Sequence, residues 1–361
     1  MYRPTPKTGR PAGEPTTTCC QGSGGRGFSL IELLIAMAVG LIVLLSAVRI
    51  SDQLFYLTAA ISERAQINEN LRAATNLMAR DLTGAGSGVP IGGIPLRAGS
   101  GLPAIPRPGW GTQTFPAPTG TLTILTTGPG LGPLVSGRPT DEITILAMDG
   151  GSLLGQTPLT AISADGTQIT VDAGTNISSG PSQVKVNDLI MLSNSNGAAL
   201  GMVTAVDSAN HLVRFATGDP WGINQSTATS GTISQLASPG TPPVYPPTSA
   251  FKLALVTYYL DNTDAANPKL MRQYGALPPV EVVDGVTSLQ FTYDYDSPTS
   301  GALLANQSDV VSPATPNQIR QVNILLSLRS LRPARRTHEF FSGTLTTAVT
   351  VRNLAYKNRY D

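Results

Sequence analysis

The chain has 361 residues, of which 41% are hydrophobic, with 24 basic and 23 acidic side chains. This near-neutral balance gives no electrostatic footprint for nucleic acid. Both cysteines, Cys19 and Cys20, precede the first apolar segment, so the chain beyond that segment cannot carry a disulfide framework. The sequence has two histidines and no G-x-S-x-G motif, so it contains few candidate catalytic residues. We therefore expect neither an enzyme nor a metal or cofactor site.

Residues 1–27 are rich in Pro, Gly, Ser and Thr, and we expect them to be disordered. From Phe28 to Val48 there are 21 residues, and Glu32 is the only charged one. At 1.5 Å per residue they span roughly 31 Å, which matches the hydrocarbon core of a bilayer. Basic residues are in excess only before this run, which predicts a cytoplasmic N-terminus and an exported remainder.

The sequence Gly27-Phe28-Ser29-Leu30-Ile31-Glu32 resembles the signal of type IV prepilins and related pseudopilins. In that family a membrane peptidase cuts after the glycine and methylates the new N-terminus. The resemblance implies cleavage between Gly27 and Phe28 and N-methylation of Phe28. An ordinary secretory signal has its cleavage site after the apolar stretch, and no such site follows Val48.

The position of Glu32 in an apolar segment requires an explanation, because inserting a carboxylate into a bilayer costs on the order of 2.5 kcal/mol or more. Pairing with a cation offsets part of this cost. The family resemblance implies that Glu32 pairs with the N-terminal amine of an adjacent subunit during assembly. The alternative is a hydrated, interfacial Glu32 that is stabilised only by the helix N-terminus.

Apolar residues continue past Val48 at spacings of three, four and seven, which indicates one face of a helix. They are Ile50, Leu54, Leu57, Ile61, Leu71, Met78 and Leu82, with Ala65 and Ala74 near the same stripe. The glycines that follow residue 83 end the pattern. We predict one helix over 28–83, with a membrane-spanning part (28–48) and an amphipathic part (49–83) that packs on a periplasmic domain.

Residues 84–120 are dominated by Gly and Pro, which predicts a long loop. From 121 to 361 short β runs alternate with turns, which predicts a periplasmic, β-rich head domain. The predicted strands are Thr121–Leu125, Glu142–Leu146, Gln168–Val171, Leu189–Leu192, Gly201–Val206, Leu212–Phe215, Leu253–Leu260, Lys269–Tyr274, Val286–Tyr295, Val322–Leu328 and Thr344–Val351. The predicted class is α+β and pilin-like, with one long N-terminal helix on a mostly antiparallel β domain.

The distal half is similar to the PilW-like minor pilins. The likeness rests on Val256–Asp261, on Leu270–Gln273, on the segment Val282–Tyr293, and on the Arg352-Asn353 ending. That ending is also similar to the J-type pseudopilins of type II secretion. The resemblance implies a minor pilin whose partners are the prepilin peptidase, other minor pilins and the major pilin, first in the inner membrane and then in the pilus.

Three other groups of residues allow a functional and a structural interpretation. Asp261–Asp264 and Asp294–Asp296 could bind calcium, but turn chemistry explains the first better. The basic residues between 329 and 336 could contact anionic lipid or DNA, but a solvated loop is the simpler interpretation. Besides the minor pilin, a J-type pseudopilin and a pilus-tip adhesin remain open.

Overall fold

The computed structural model describes residues 29–97, 105, 107, 120–224, 231–334 and 337–355. The chain divides into two units, Met1–Ala59 and Ala60–Asp361. Helix α1, Leu30–Gly84, has 55 residues and contributes to both units. A second helix, α2, is one turn long and covers Arg352–Ala355. The predicted α+β class, a long apolar N-terminal helix followed by a mostly antiparallel β domain, is confirmed.

Seventeen strands lie between the two helices in the described residues. They are β1 (Ile94–Pro95), β2 (Thr121–Leu122), β3 (Leu125–Gly128), β4 (Glu142–Met148), β5 (Ala161–Ile162), β6 (Gln168–Thr170), β7 (Leu189–Asn194), β8 (Gly197–Met202), β9 (Ala205–Asp207), β10 (Leu212–Arg214), β11 (Ser249–Asp261), β12 (Lys269–Tyr274), β13 (Val280–Val283), β14 (Val286–Asp296), β15 (Leu303–Gln307), β16 (Ile319–Arg329) and β17 (Ser342–Thr350).

The strands form four sheets, and every pairing between them is antiparallel. The largest sheet has the order β13-β12-β11-β4-β3, with β7 paired to β11 and β8 paired to β7. A second sheet has the order β15-β14-β16-β17, a third has the order β5-β6-β10-β9, and β1 pairs with β2. The 13-residue strand β11 is long enough to pair with β4, β7 and β12 in turn.

Helix α1 packs in the globular unit through a stripe that begins at Ile67. Its buried members are Ile67, Leu71, Ala74, Thr75, Met78 and Leu82. Glycine in β17 permits the close approach of the helix, because a Cβ at Gly343 would lie 3.0 Å from Cγ2 of Ile67 and 3.1 Å from Cδ1 of Leu71. Each fully buried aliphatic side chain in this stripe contributes roughly 1.5–3 kcal/mol.

Only part of the amphipathic stripe is buried in the globular unit. Ile50, Leu54 and Leu57 are exposed, as are Ile61 and Ala65. The spacing rule identifies a common helix face, but it does not show where the covering strands stop. Within the globular unit the buried part of the stripe begins at Ile67, six residues after the exposed Ile61, and the packing of the residues before Ile61 stays a prediction.

Two polar contacts tie the C-terminal part of α1 to the β domain. Asp81 Oδ2 accepts hydrogen bonds from Tyr258 Oη at 2.7 Å and from Arg272 Nε at 2.8 Å. At the other contact, Asn353 Nδ2 donates to the carbonyl oxygen of Ala85 at 2.7 Å. This bond satisfies a carbonyl just beyond the end of the helix, where no intrahelical partner exists. The Arg-Asn ending therefore has a structural role here.

The middle of the chain forms a hydrophobic core of its own. Its buried members are Leu154, Ile169, Val171, Ile177, Val184, Ile190, Leu192, Ala199, Val203, Val213, Phe215, Ile233, Leu236 and Ala250. The main core includes the helix stripe and the inner faces of β11, β14 and β16. Residues 149–248, inserted between β4 and β11, thus supply most of this second core, while Leu189, Met191, Leu200 and Met202 of β7 and β8 belong to the main core.

Several strands differ from the predicted ones. β1, β5, β13 and β15 were not predicted, because each has only two to five residues. The predicted strand Gly201–Val206 is divided between β8 and β9. The backbone changes hydrogen-bond partners there, because the Val203 amide donates to the backbone carbonyl of Asp188, whereas the Thr204 amide donates to the backbone carbonyl of Arg214. The predicted loop 84–120 also contains the short strand β1.

Candidate functional site

The candidate site is the N-terminal part of α1, which begins at Leu30. The Ser29 carbonyl accepts hydrogen bonds from the amides of Glu32 at 2.9 Å and Leu33 at 3.2 Å, and these bonds close the first turn. Glu32 lies in that turn and is exposed. A carboxylate at this end of a helix is stabilised by the free N–H groups and the helix dipole. Ser29 and Glu32 also have the spacing of a capping box, a signal that the sequence interpretation missed.

Gly27 and Phe28 lie outside the described residues, so cleavage between them and methylation of Phe28 stay predictions. The described helix begins two residues after Phe28. After the predicted cleavage, the new amine and Glu32 would belong to the same short stretch of chain. One chain would then present both a cation and an anion at the start of its helix.

Residues 33–48 of α1, which follow Glu32, carry no charged side chain on any face of the helix. An 18-residue window of α1 has a mean hydropathy of 2.7, and none of it is buried in the structure. Its hydroxyl groups are satisfied internally, since Ser46 Oγ donates to the Ile42 carbonyl and Thr58 Oγ1 to the Leu54 carbonyl, both at 2.8 Å. A helix with no unsatisfied backbone bonds and an apolar surface is the form in which a chain crosses a bilayer.

Exposed apolar residues continue beyond the length that a bilayer requires. Ile50, Leu54, Leu57 and Ile61 are between 53% and 68% exposed. Their spacings of four, three and four residues place them on one seam of the 3.5-residue period along which parallel helices pack. Water is an unfavourable environment for such a seam. The segment 50–61 therefore has the properties of a surface that contacts another helix.

His211 and the first of the two acidic segments make ordinary structural contacts. His211 has a positive φ of 55° in a turn, and its Nδ1 lies 3.3 Å from the Thr175 carbonyl. Asp261 Oδ1 accepts a hydrogen bond from the Thr263 amide at 2.9 Å, as expected for a turn. Within the described ranges, no three His, Cys, Asp or Glu residues are grouped as a metal site.

The other acidic segment and the basic segment are also engaged in the fold. Asp296 Oδ2 pairs with Arg320 Nη2 at 2.7 Å, and Asp294 accepts from the side chains of Gln321 and Asn323. The Arg329 guanidinium lies 4.6 Å from the Phe340 ring centroid. Arg335 and Arg336 lie outside the described residues.

A buried ion pair, which the sequence interpretation did not identify, links the β3–β4 region to the loop before it. Arg107 Nε lies 3.4 Å from Glu142 Oε2, and each side chain is 1% exposed. Arg107 Nη1 also donates to the Thr127 carbonyl at 2.8 Å. Burial lowers the pKa of Arg107, while the charge of Glu142 acts in the opposite direction. Because both groups are buried and paired, the arrangement holds Arg107 against β3 and β4.

The comparisons with known proteins agree with the geometry of the N-terminal segment. Residues 23–48 match the family model described as the prokaryotic N-terminal methylation motif. No curated protein and no solved structure gave a significant match. The motif and the apolar helix together support a membrane-anchored protein of the type IV pilin or pseudopilin type. The motif also implies processing by prepilin peptidase and assembly with other pilins in general.

Proposed function

We propose that the chain is a minor pilin of a type IV pilus that joins the priming or tip complex and supports pilus assembly. The observation that carries the proposal is the prepilin-type motif, which continues into an exposed apolar helix with one carboxylate in its first turn. The β domain is large relative to the helix that carries it, which suits a tip better than a repeating shaft. No catalytic role is part of the proposal.

In this proposal the precursor spans the inner membrane once, with the N-terminus in the cytoplasm and the β domain in the periplasm. The peptidase cuts between Gly27 and Phe28, and Phe28 becomes the methylated N-terminus. Glu32 then pairs with the Phe28 amine of a neighbouring subunit, which offsets the cost of desolvating both charges. The exposed seam from Ile50 to Ile61 packs against neighbouring helices outside the bilayer.

Mass spectrometry of the N-terminus tests the processing step. In cells with the peptidase we expect a chain that begins with methylated Phe28, and in cells without it we expect a chain that retains Gly27 and the residues before it. An identical, uncut N-terminus in both strains would refute the proposal at its first step.

Glu32→Ala tests the assembly step. We expect normal processing but at least a tenfold loss of the subunit from sheared pili, because the unpaired amine loses its partner within the bilayer. Glu69→Ala, which removes an exposed carboxylate from the same helix, is the matched control and should assemble normally. Equal incorporation of the two variants would show that Glu32 has no assembly role.

A J-type pseudopilin would have the same prepilin-type motif and the same apolar N-terminal helix. Loss of the gene separates the two roles, because a minor pilin is required for surface pili and a pseudopilin is required for export of secreted proteins. A tip adhesin is a further candidate, favoured by the second hydrophobic core, to which residues 149–248 contribute all members but Ala250. For an adhesin, loss of the gene would abolish attachment to a surface while the number of pili stayed the same.

A further inference from the structure

Strand β17 is a nine-residue edge whose outer side is unpaired in the described sheets. Hydrogen bonds from the Ser330 amide to the Phe341 carbonyl and from the Val351 amide to the Arg320 carbonyl fix its alternation. Odd-numbered residues bond to β16, so the N–H and C=O groups of the even-numbered residues point away from the sheet. These residues are Ser342, Thr344, Thr346, Ala348 and Thr350.

This edge lacks the features that usually prevent strand pairing. β17 contains no charged residue and no proline, and its register with β16 has no irregularity. The other edge strands in the described sheets have two to six residues, and β13 and β15 also have irregular registers. Long, regular and uncharged edges are the ones that accept a further strand. Among the edge strands of the described sheets, β17 is therefore the longest one that is regular and uncharged.

The direction of β17 limits what can pair with it. Gly343, near its start, packs on Ile67 and Leu71, while Asn353, just after its end, bonds to Ala85. β17 therefore runs in the same direction as α1. If the β17 strands of two copies paired in an antiparallel way, a two-fold axis would relate the copies, and their α1 helices would point in opposite directions. Two subunits that enter one membrane by their N-termini have their helices in the same direction, so this self-pairing does not suit them.

We propose that β17 is a docking edge for a different pilin-type subunit, which adds an antiparallel strand along Ser342–Thr350. The inference rests on the proposed function, because it takes the partner to be anchored in the same direction. Backbone hydrogen bonds supply the affinity in this mode of recognition, and alternate side chains supply the specificity. The outward face is made of hydroxyl and methyl groups, which favours a partner strand rich in Thr, Ser or Val over a charged one.

A photo-crosslinking amino acid at Thr346 of the full-length chain, in cells that assemble the filament, tests the identity of the partner. We expect an adduct with a second protein that has its own prepilin-type N-terminus. The matched control carries the same group at Leu304, on the opposite edge of the same sheet, and should give no such adduct. An adduct with a second copy of this chain, an adduct with lipid, or no adduct at Thr346 overturns the proposal.

Thr346→Pro tests the backbone contact itself. The Thr346 N–H points outward, so proline removes a bond to the partner while it leaves the bonds between β17 and β16 intact. We expect about a tenfold fall in the crosslinked or co-purified complex, the amount expected when one or two such bonds are lost. Thr346→Ala keeps the N–H and should behave like the unmodified chain. Equal complex formation by the proline and alanine variants overturns the proposal.

Both variants are first measured for membrane level and N-terminal processing, and only chains equal in these two respects are compared. The fraction of the unmodified chain in sheared filaments is measured separately. If the chain is absent from filaments, the proposed function fails. If it is present in filaments but gives no Thr346 adduct, the proposed function stands and the docking edge is refuted.

Discussion

Asp81→Ala should destabilise the globular unit by about 2–4 kcal/mol. Asp81 Oδ2 is the acceptor for both Tyr258 Oη and Arg272 Nε, at 2.7 and 2.8 Å. Hydrogen bonds to charged groups contribute roughly 1.5–3 kcal/mol each. The lower part of that range applies to Arg272, because the side chains of Arg272 and Asp81 are 29% and 15% exposed. Tyr258 is fully buried, so its hydroxyl has no access to water as a substitute partner.

The measurement is urea unfolding of a fragment that covers the unit Ala60–Asp361. Glu69→Ala removes an exposed carboxylate from the same helix and should change the free energy of unfolding by less than about 0.5 kcal/mol. Tyr258→Phe removes the bond donated to Asp81 and the 3.1 Å bond accepted from Arg272 Nε but keeps the ion pair, so we expect a loss of about 1.5–2 kcal/mol. If Asp81→Ala costs no more than Glu69→Ala, the contact does not hold the helix to the sheet and the reasoning is wrong.

Two other predictions concern the same domain. Burial raises the pKa of Tyr258, Tyr274 and Tyr293 above the usual 10.0, so the folded form binds protons that the unfolded form has lost. The contribution of these tyrosines to the free energy of unfolding should therefore be fully present below pH 10 and should fall above pH 10 by up to about 1.4 kcal/mol per pH unit for each tyrosine. A phenolate absorbance that rises well before the tertiary circular dichroism signal is lost would contradict this. Gly343→Val should cost about 1–3 kcal/mol because its side chain meets Ile67 and Leu71, whereas Thr344→Val on the exposed face should be nearly neutral in the same urea assay.

The parts of the fold with a long repeated pattern could be predicted from the sequence. The 55-residue helix, and strands such as β11 and β14, have enough residues for the periodicity to identify them. Short strands such as β5 and β13 carry only a weak periodic signal, because two to four residues complete no more than two alternations. The buried stripe starts at Ile67 because Gly343 of β17 packs there, and this tertiary contact cannot be predicted from the local sequence pattern.

The candidate site divides in the same way. Glu32 and its apolar surroundings are local, so the sequence identified them, and the matched motif covers the same residues. The outward edge of β17 depends on strand order, since the same nine residues in the middle of a sheet would have no free side. The ion pair of Arg107 with Glu142 joins residues 35 positions apart across a loop and could not be predicted from composition.

The bond between Asn353 and Ala85 joins residues 268 positions apart, and it sets an order of events during folding. The apolar face of α1 is synthesised early, but β17, which covers part of it, and α2 are the last described elements to be synthesised. Contacts over such long separations form slowly. The apolar face of the helix therefore stays partly uncovered until most of the chain has been synthesised, and the chain is prone to aggregation throughout that interval.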